Sequence, residues 1–146
     1  MTSSYAKANT SISQGSVGWH LAHSLLTING IIEALRKSDP KQYVWKFNLT
    51  RSYVFTTGKI PRGKGKAPSV VHPKSEDLAT IQHLLELSKE RLLVLENIPS
   101  NQYFHHPYFG HMRKKKTIQF LVLHTRHHLQ IMQEIALDRN KKHAID

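Results

Sequence analysis

Two histidines four residues apart, His124 and His128, are the residues of this chain whose type and spacing best suit chemistry. In a helix, side chains at that spacing lie on one face about one turn apart, so both imidazoles can reach a common point. Such a pair is the usual helical half of a transition-metal site, which needs a further ligand from another element. The chain has eleven histidines and no cysteine, so a metal would be held by nitrogen, with a carboxylate or water completing its coordination.

The same pair also has a structural interpretation. A helix predicted over residues 115–138 carries both histidines on one stripe with apolar residues such as Leu121 and Ile131, so both imidazoles should face the interior. Buried imidazoles are costly without partners, and two core histidines can satisfy each other or bond to backbone or water. The adjacent His127, and further histidines at the ends of other elements, favour a metal site over this alternative.

A third ligand is expected from the first predicted helix, over residues 16–37, which contains His20 and His23. Helical-wheel position favours His20, which lies nearer the centre of the apolar stripe. The neighbours of His23, Trp19 and Leu26, are themselves large and apolar, so this part of the helix should be buried nearly all round. Periodicity alone therefore leaves both histidines as candidates.

The elements that must position these histidines are helices. The first should end at Ser38-Asp39-Pro40, because a proline disfavours helical geometry in the residue before it. Residues 43–57 mix aromatic and β-branched residues, and we predict a short helix there rather than an extended segment. A third helix is predicted over residues 75–96, with Ser75 as its N-cap. Its stripe consists of Leu78, Ile81, Leu85, Ser88, Leu92 and Leu95.

Loops and ends complete a single domain over residues 1–146. Residues 58–73 form a long basic loop whose PRGKGK stretch lacks the GxxxxGK[ST] phosphate-binding pattern, so we expect an ordinary flexible loop. Residues 99–110 form a second loop, and residues 1–15 and 139–146 are expected to be flexible ends. Long helices joined by loops, without strand alternation, predict an all-α bundle.

Three motifs resemble those of the DinB-like proteins. The segment at 16–23 is SVGWHLAH, similar to a family helix in which a histidine ends a Ser-x-x-x-apolar-apolar-Ala-His pattern. The segments HPYFG at 106–110 and HTRHHL at 124–129 are similar to the His-Pro-x-Phe-Gly and His-x-x-His-His-Leu pair of an uncharacterised branch of that family. Together they span about residues 16 to 135 of the chain.

The resemblance implies an up-down four-helix bundle that binds a divalent metal through three histidines. Carried over by position, the ligands would be His23, His124 and His128, with His127 beside the site and His20 as the alternative third ligand. Family members usually have a full helix before the first histidine helix, whereas only about fifteen polar residues precede it here. The N-terminal helix is therefore expected to be short or absent. Nitrogen ligands of this kind suit zinc, nickel or iron.

An open three-histidine metal ion can lower the pKa of a bound water, polarise a carbonyl or bind a thiolate. The DinB-like proteins that this chain resembles include thiol-dependent transferases and isomerases. The leading hypothesis that the resemblance implies is therefore a metal-dependent enzyme of hydrolase or thiol-transferase type acting on a small molecule. The sequence names no catalytic residue beyond the ligands. The loop around His106 has two interpretations: a tight turn that plugs the end of the bundle, or a segment in which His105 or His106 touches substrate.

The charge balance suggests a different class of function. A net charge of +11 and a pI near 10.0 make an anionic partner such as nucleic acid the alternative, with the chain acting as a non-catalytic helical binding module. No predicted helix carries a basic stripe interleaved with aromatics, so we do not expect sequence-specific nucleic-acid binding. A homodimer is also considered.

The compartment is inferred from what the sequence lacks. Without cysteine the chain has no disulfides or thiolate metal sites, which suits a reducing cytoplasm. No signal-peptide pattern and no apolar run of roughly 20 residues is present. We therefore expect a soluble cytoplasmic protein that makes no contact with membranes.

Overall fold

The structure, a computed structural model, describes residues 4–63 and 65–142, without the side chains of residue 4 and residues 138–142. Within those ranges the chain forms four α-helices and one two-stranded antiparallel sheet. In chain order these are α1 Val17–Lys37, α2 Leu49–Thr57, α3 Leu78–Asn97, β1 Tyr103–His106, β2 Gly110–Arg113 and α4 Lys114–Lys142. The prediction of a mostly helical fold is confirmed, and the hairpin is a departure from it.

Helix α1 is the centre of the fold, because both α3 and α4 pack against it. Ser16 caps it by accepting a hydrogen bond from the Trp19 amide. It ends at Lys37, where the extended backbone of Ser38 leads toward the proline, as predicted. The fully buried Ile32 and Leu35 belong to the main hydrophobic core.

The segment before α1 contains no α-helix over residues 4–16, where the structure describes one 3-10 turn at Ser4–Ala6 and an isolated bridge between Asn9 and Ser13. The Val17 amide donates to the Lys7 carbonyl, which joins this segment to the start of α1. An absent N-terminal helix was one of the two expectations from the sequence.

Helix α2 is shorter than predicted, since residues 43–48 are irregular. The helix begins where the Asn48 side chain accepts a hydrogen bond from the Arg51 amide, and it ends at Gly58, whose φ of 67° is left-handed. Only Val54 of this helix is buried. The predicted helix over residues 43–57 is therefore correct for its second half alone.

Helix α3 corrects two predictions. Its N-cap is Asp77, which accepts from the Thr80 amide, whereas the Ser75 hydroxyl donates to Asp77 instead of capping the helix. Of the predicted stripe, Ile81, Ser88 and Leu95 are buried together with Leu84, but three leucines are about half exposed, namely Leu78, Leu85 and Leu92. The main neighbour of α3 is α1. A single neighbouring helix covers only part of the predicted apolar stripe of α3, so the rest of the stripe stays exposed.

The predicted loop over residues 99–110 is in large part a hairpin with Tyr103 opposite Arg113 and His106 opposite Gly110. His106 Nδ1 accepts hydrogen bonds from the amides of Tyr108 and Phe109, which shapes the turn. Phe109 is buried in the main core, so this turn packs against the core. Strands of four residues are too short to produce a detectable alternation.

Helix α4 begins at Lys114 and its backbone continues to Lys142, which is longer than the predicted 115–138. Part of the expected tail is therefore helical, and residues 143–146 lie outside the described residues. Among the described residues, no helix is long and apolar enough to cross a membrane.

Candidate metal centre

The packing of α1 against α4 brings three predicted ligands together. Ring nitrogens of His23, His124 and His128 all lie within 4.8 Å of one another. The distance between the Nε2 atoms is 3.3 Å from His23 to His124 and 3.2 Å from His124 to His128. His23 and His128 are buried, and His124 is half-buried. These three histidines can hold a metal ion.

The distances between the nitrogens match those of ligands sharing one ion. For a metal–nitrogen distance of about 2.1 Å, two nitrogens at octahedral to tetrahedral angles are roughly 3.0 to 3.4 Å apart. Both Nε2 distances that involve His124 fall in this range. An ion could therefore occupy the point between them with little movement of the rings.

The other ring nitrogen of His23 fixes its orientation. Its Nδ1 lies 2.8 Å from the carbonyl oxygen of Val71, an atom that can only accept a hydrogen bond, so Nδ1 must carry the proton. The Nε2 lone pair of His23 consequently faces the other two histidines. A hydrogen bond from the remote nitrogen to a carbonyl is the usual support of a metal-binding histidine.

His128 is held by a chain of two further side chains. Its Nδ1 lies 2.8 Å from Nδ1 of His20, and Nε2 of His20 lies 2.8 Å from the hydroxyl of Ser13. If His128 Nδ1 donates, then His20 accepts at Nδ1 and donates through Nε2 to Ser13. In that arrangement His128 also turns a lone pair toward the cluster, and His20 supports a ligand instead of being one.

His124 completes the case for a cation. Its Nδ1 is buried and has no hydrogen-bond partner among the described residues, so the contacts of this ring within the cluster are made by Nε2. Its Nε2 faces the Nε2 atoms of both His23 and His128, which bear lone pairs in the arrangement above. One proton on His124 can satisfy only one of those two lone pairs, whereas a cation between the rings satisfies all three nitrogens.

Electrostatics keep the imidazoles neutral and ready to bind. Burial, followed by repulsion from neighbouring histidines, lowers the pKa of His128 to about 2 and that of His124 to about 3. Burial also lowers the pKa of His23, against the opposing effect of its hydrogen bond to the Val71 carbonyl. Neutral imidazole is the form that ligates metals.

The remaining candidate histidines stand around the cluster. The ring of His127 lies 5.2 Å from that of His128, and burial lowers its pKa. His106 lies further out: it stacks on Phe109 and meets the edge of Phe120, which in turn contacts His124. Neither His127 nor His106 belongs to the group of three.

Among the neighbours of the site, the sequence indicated Trp19 but neither the Val71 carbonyl nor the pairing of Arg62 with Glu134. Trp19 stacks on His23 with ring centroids 4.8 Å apart and planes 8° from parallel. The basic loop predicted over residues 58–73 supplies the Val71 carbonyl, and its Arg62 forms a bidentate pair with Glu134 of α4 at 2.7 and 2.8 Å. A carbonyl is available from every residue, so no pattern could have indicated Val71.

No protein-family model, curated protein or solved structure matches this chain.

Proposed function

We propose that this chain is a DinB-like metalloprotein in which His23, His124 and His128 bind one divalent transition metal. The observation that carries the proposal is the convergence of their Nε2 atoms, with the remote nitrogens of His23 and His128 already engaged by Val71 and His20. The SVGWHLAH, HPYFG and HTRHHL motifs support the family assignment. In the proposed up-down four-helix bundle, α1, α3 and α4 would be three of the four helices.

The proposed activity is that of a hydrolase or thiol transferase acting on a small molecule. A metal with three neutral imidazoles keeps its double positive charge and open positions, so it would lower the pKa of a bound water or thiol. The residues around it have separate tasks. Trp19 and Phe120 flank His23 and His124 and keep water from those rings, while the hydrogen bonds to Val71 and His20 orient His23 and His128.

Elemental analysis of untagged protein, purified without added metal, tests the binding directly. We expect about one zinc, nickel or iron ion per chain. His23→Ala, His124→Ala and His128→Ala should each lower metal affinity sharply, because each removes one of only three protein ligands. Loss of metal binding in His20→Ala with binding retained in His23→Ala would contradict the proposed ligand set. It would favour His20 as the third ligand, as helical-wheel position indicates.

His83→Ala is the matched control, since His83 is exposed on α3 and outside the group of three. His143→Ala, which the sequence also predicts to be without effect, lies outside the described residues. Hydrolysis of ester and amide substrates and transfer from low-molecular-weight thiols would then be assayed with metal-loaded protein. A cytoplasmic location and a homodimer stay predictions.

A further inference from the structure

Two neighbouring segments of the chain, which begin directly after Asp39 and Glu96, are strongly basic and contain no carboxylate themselves. Residues 40–59 and 97–116 contain eight lysines and arginines and no aspartate or glutamate. The two segments lie against each other, because the Val44 amide donates to His111 and the Arg113 guanidinium lies 3.9 Å from the centre of the Tyr43 ring. We call the surface that they form the basic face. None of its eight cations forms an ion pair with a carboxylate among the described residues.

Large apolar side chains are exposed on the basic face. Trp45 and Phe47 in the irregular segment before α2 and Leu49, the first residue of α2, occupy alternate positions and are 65%, 67% and 75% exposed. Tyr53, one helical turn after Leu49, is also exposed. Clusters of large exposed apolar side chains are a common feature of interaction sites. No ring contact joins Trp45, Phe47 or Tyr53 to another aromatic within the described residues, so each ring can take a partner of its own.

The backbone that carries these rings is fixed in place. Arg51 donates to the carbonyl oxygens of Lys46 at 2.6 Å and Phe109 at 2.9 Å, and the Asn48 side chain donates to the Tyr108 carbonyl at 2.8 Å. These bonds attach the irregular segment to the hairpin turn. The rings are therefore presented on an ordered support, which reduces the entropy that a partner must remove on binding.

The chemistry of the basic face selects its partner. Positive charge without carboxylates disfavours contact with the same face of a second copy and favours a polyanion. Trp45, Lys46 and Phe47 alternate ring, cation and ring, which suits successive bases with phosphates between them. Unpaired bases expose the faces on which aromatic side chains stack, whereas a duplex hides them. We propose that the basic face binds single-stranded nucleic acid with little dependence on base sequence, independently of the metal centre.

Fluorescence anisotropy of the 146-residue chain tests this proposal. The probes are a labelled mixed-sequence 20-mer, as DNA and as RNA, and its matched duplex, each at two salt concentrations with a chelator present and again with zinc. We expect tighter binding of the single strands than of the duplex, weakened by salt. Trp45→Ala/Phe47→Ala should lower single-strand affinity about tenfold or more, because both stacking rings are lost. Leu93→Ala, at an exposed leucine of α3, is the matched control and should bind normally.

A charge variant keeps the test valid if the double variant fails to fold. Lys46→Glu should also weaken binding, whereas Lys89→Glu on α3 should change it little. Unchanged affinity in Trp45→Ala/Phe47→Ala and Lys46→Glu, or equal affinity for single strand and duplex, would overturn the proposal. Sedimentation with phosphatidylserine vesicles but no binding of any oligonucleotide would also overturn it, since the partner would then be a membrane. A wild-type dimer that Trp45→Ala/Phe47→Ala converts to monomer would overturn it as well.

Discussion

The histidines in and around the proposed metal site differ in what their two ring nitrogens contact, and that difference suggests their roles. His23 and His128 each have one nitrogen in the cluster and the other hydrogen-bonded outside it. His20 has both nitrogens engaged away from the cluster centre, and His106 uses Nδ1 to hold a turn. What the second ring nitrogen of each histidine contacts therefore says more about its role than the number of histidines in the chain does.

His20 should act on the metal through His128. Replacing it by Ala or Phe removes the acceptor for His128 Nδ1, and we expect roughly a 10- to 100-fold loss of metal affinity. His20→Asn retains an acceptor near the position of Nδ1 and should restore most of that loss. The measurements are competitive zinc titration and the visible spectrum of the cobalt-substituted protein, which reports ligand geometry. Equal affinity in the Phe and Asn variants would contradict this role.

The third ligand shows how far sequence alone can define the site. The HxxxH pair on α4 could be identified directly, because spacing in one helix determines which side chains share a face. The choice between His20 and His23 could not, since it depends on how α1 is rotated against α4. Both histidines are buried, so helical-wheel position correctly indicated that His20 faces inward, but it could not distinguish the proposed ligand His23 from His20, its proposed alternative.

At the scale of elements, periodicity predicted where the helices lie better than which faces they bury. The three exposed leucines of the predicted α3 stripe, Leu78, Leu85 and Leu92, are seven residues apart, yet α1 covers only the adjacent positions. The hairpin was missed because its strands are short and its turn depends on a histidine side chain accepting two amide hydrogen bonds. Both errors arise from tertiary contacts that local patterns do not contain.

The turn that follows β1 provides a test of the two interpretations of His106. His106→Ala leaves the amides of Tyr108 and Phe109 without their acceptor, and we expect a loss of about 1–3 kcal/mol in the free energy of unfolding. His106→Asn retains an acceptor near Nδ1 and should recover much of it. Urea denaturation of both variants, with His105→Ala as the exposed control, measures the difference. Unchanged stability in His106→Ala would indicate that the residue is available for substrate instead.

Across the whole molecule, charge is distributed unevenly over the fold. Half of the ten acidic residues lie in or beside α3, namely Glu76, Asp77, Glu86, Glu90 and Glu96, whereas the basic face has none. Helix α1 lies at the centre and carries His23, one of the three proposed metal ligands. Its partner α4 begins in the basic face and later supplies His124 and His128. One scaffold can therefore hold a metal site and a polyanion-binding surface on different residues.

The metal should stabilise the whole fold, because its ligands join α1 to α4 across 101 residues of sequence. A ligand that binds only the folded state at 100 times its Kd adds about 2.7 kcal/mol. For a domain of this size that corresponds to a rise in Tm of roughly 5–10 °C. Differential scanning fluorimetry with chelator and then with excess zinc measures the shift. His124→Ala should show little shift and His83→Ala the full one. A Tm that zinc leaves unchanged in the wild type would show that the three imidazoles are core residues that satisfy one another.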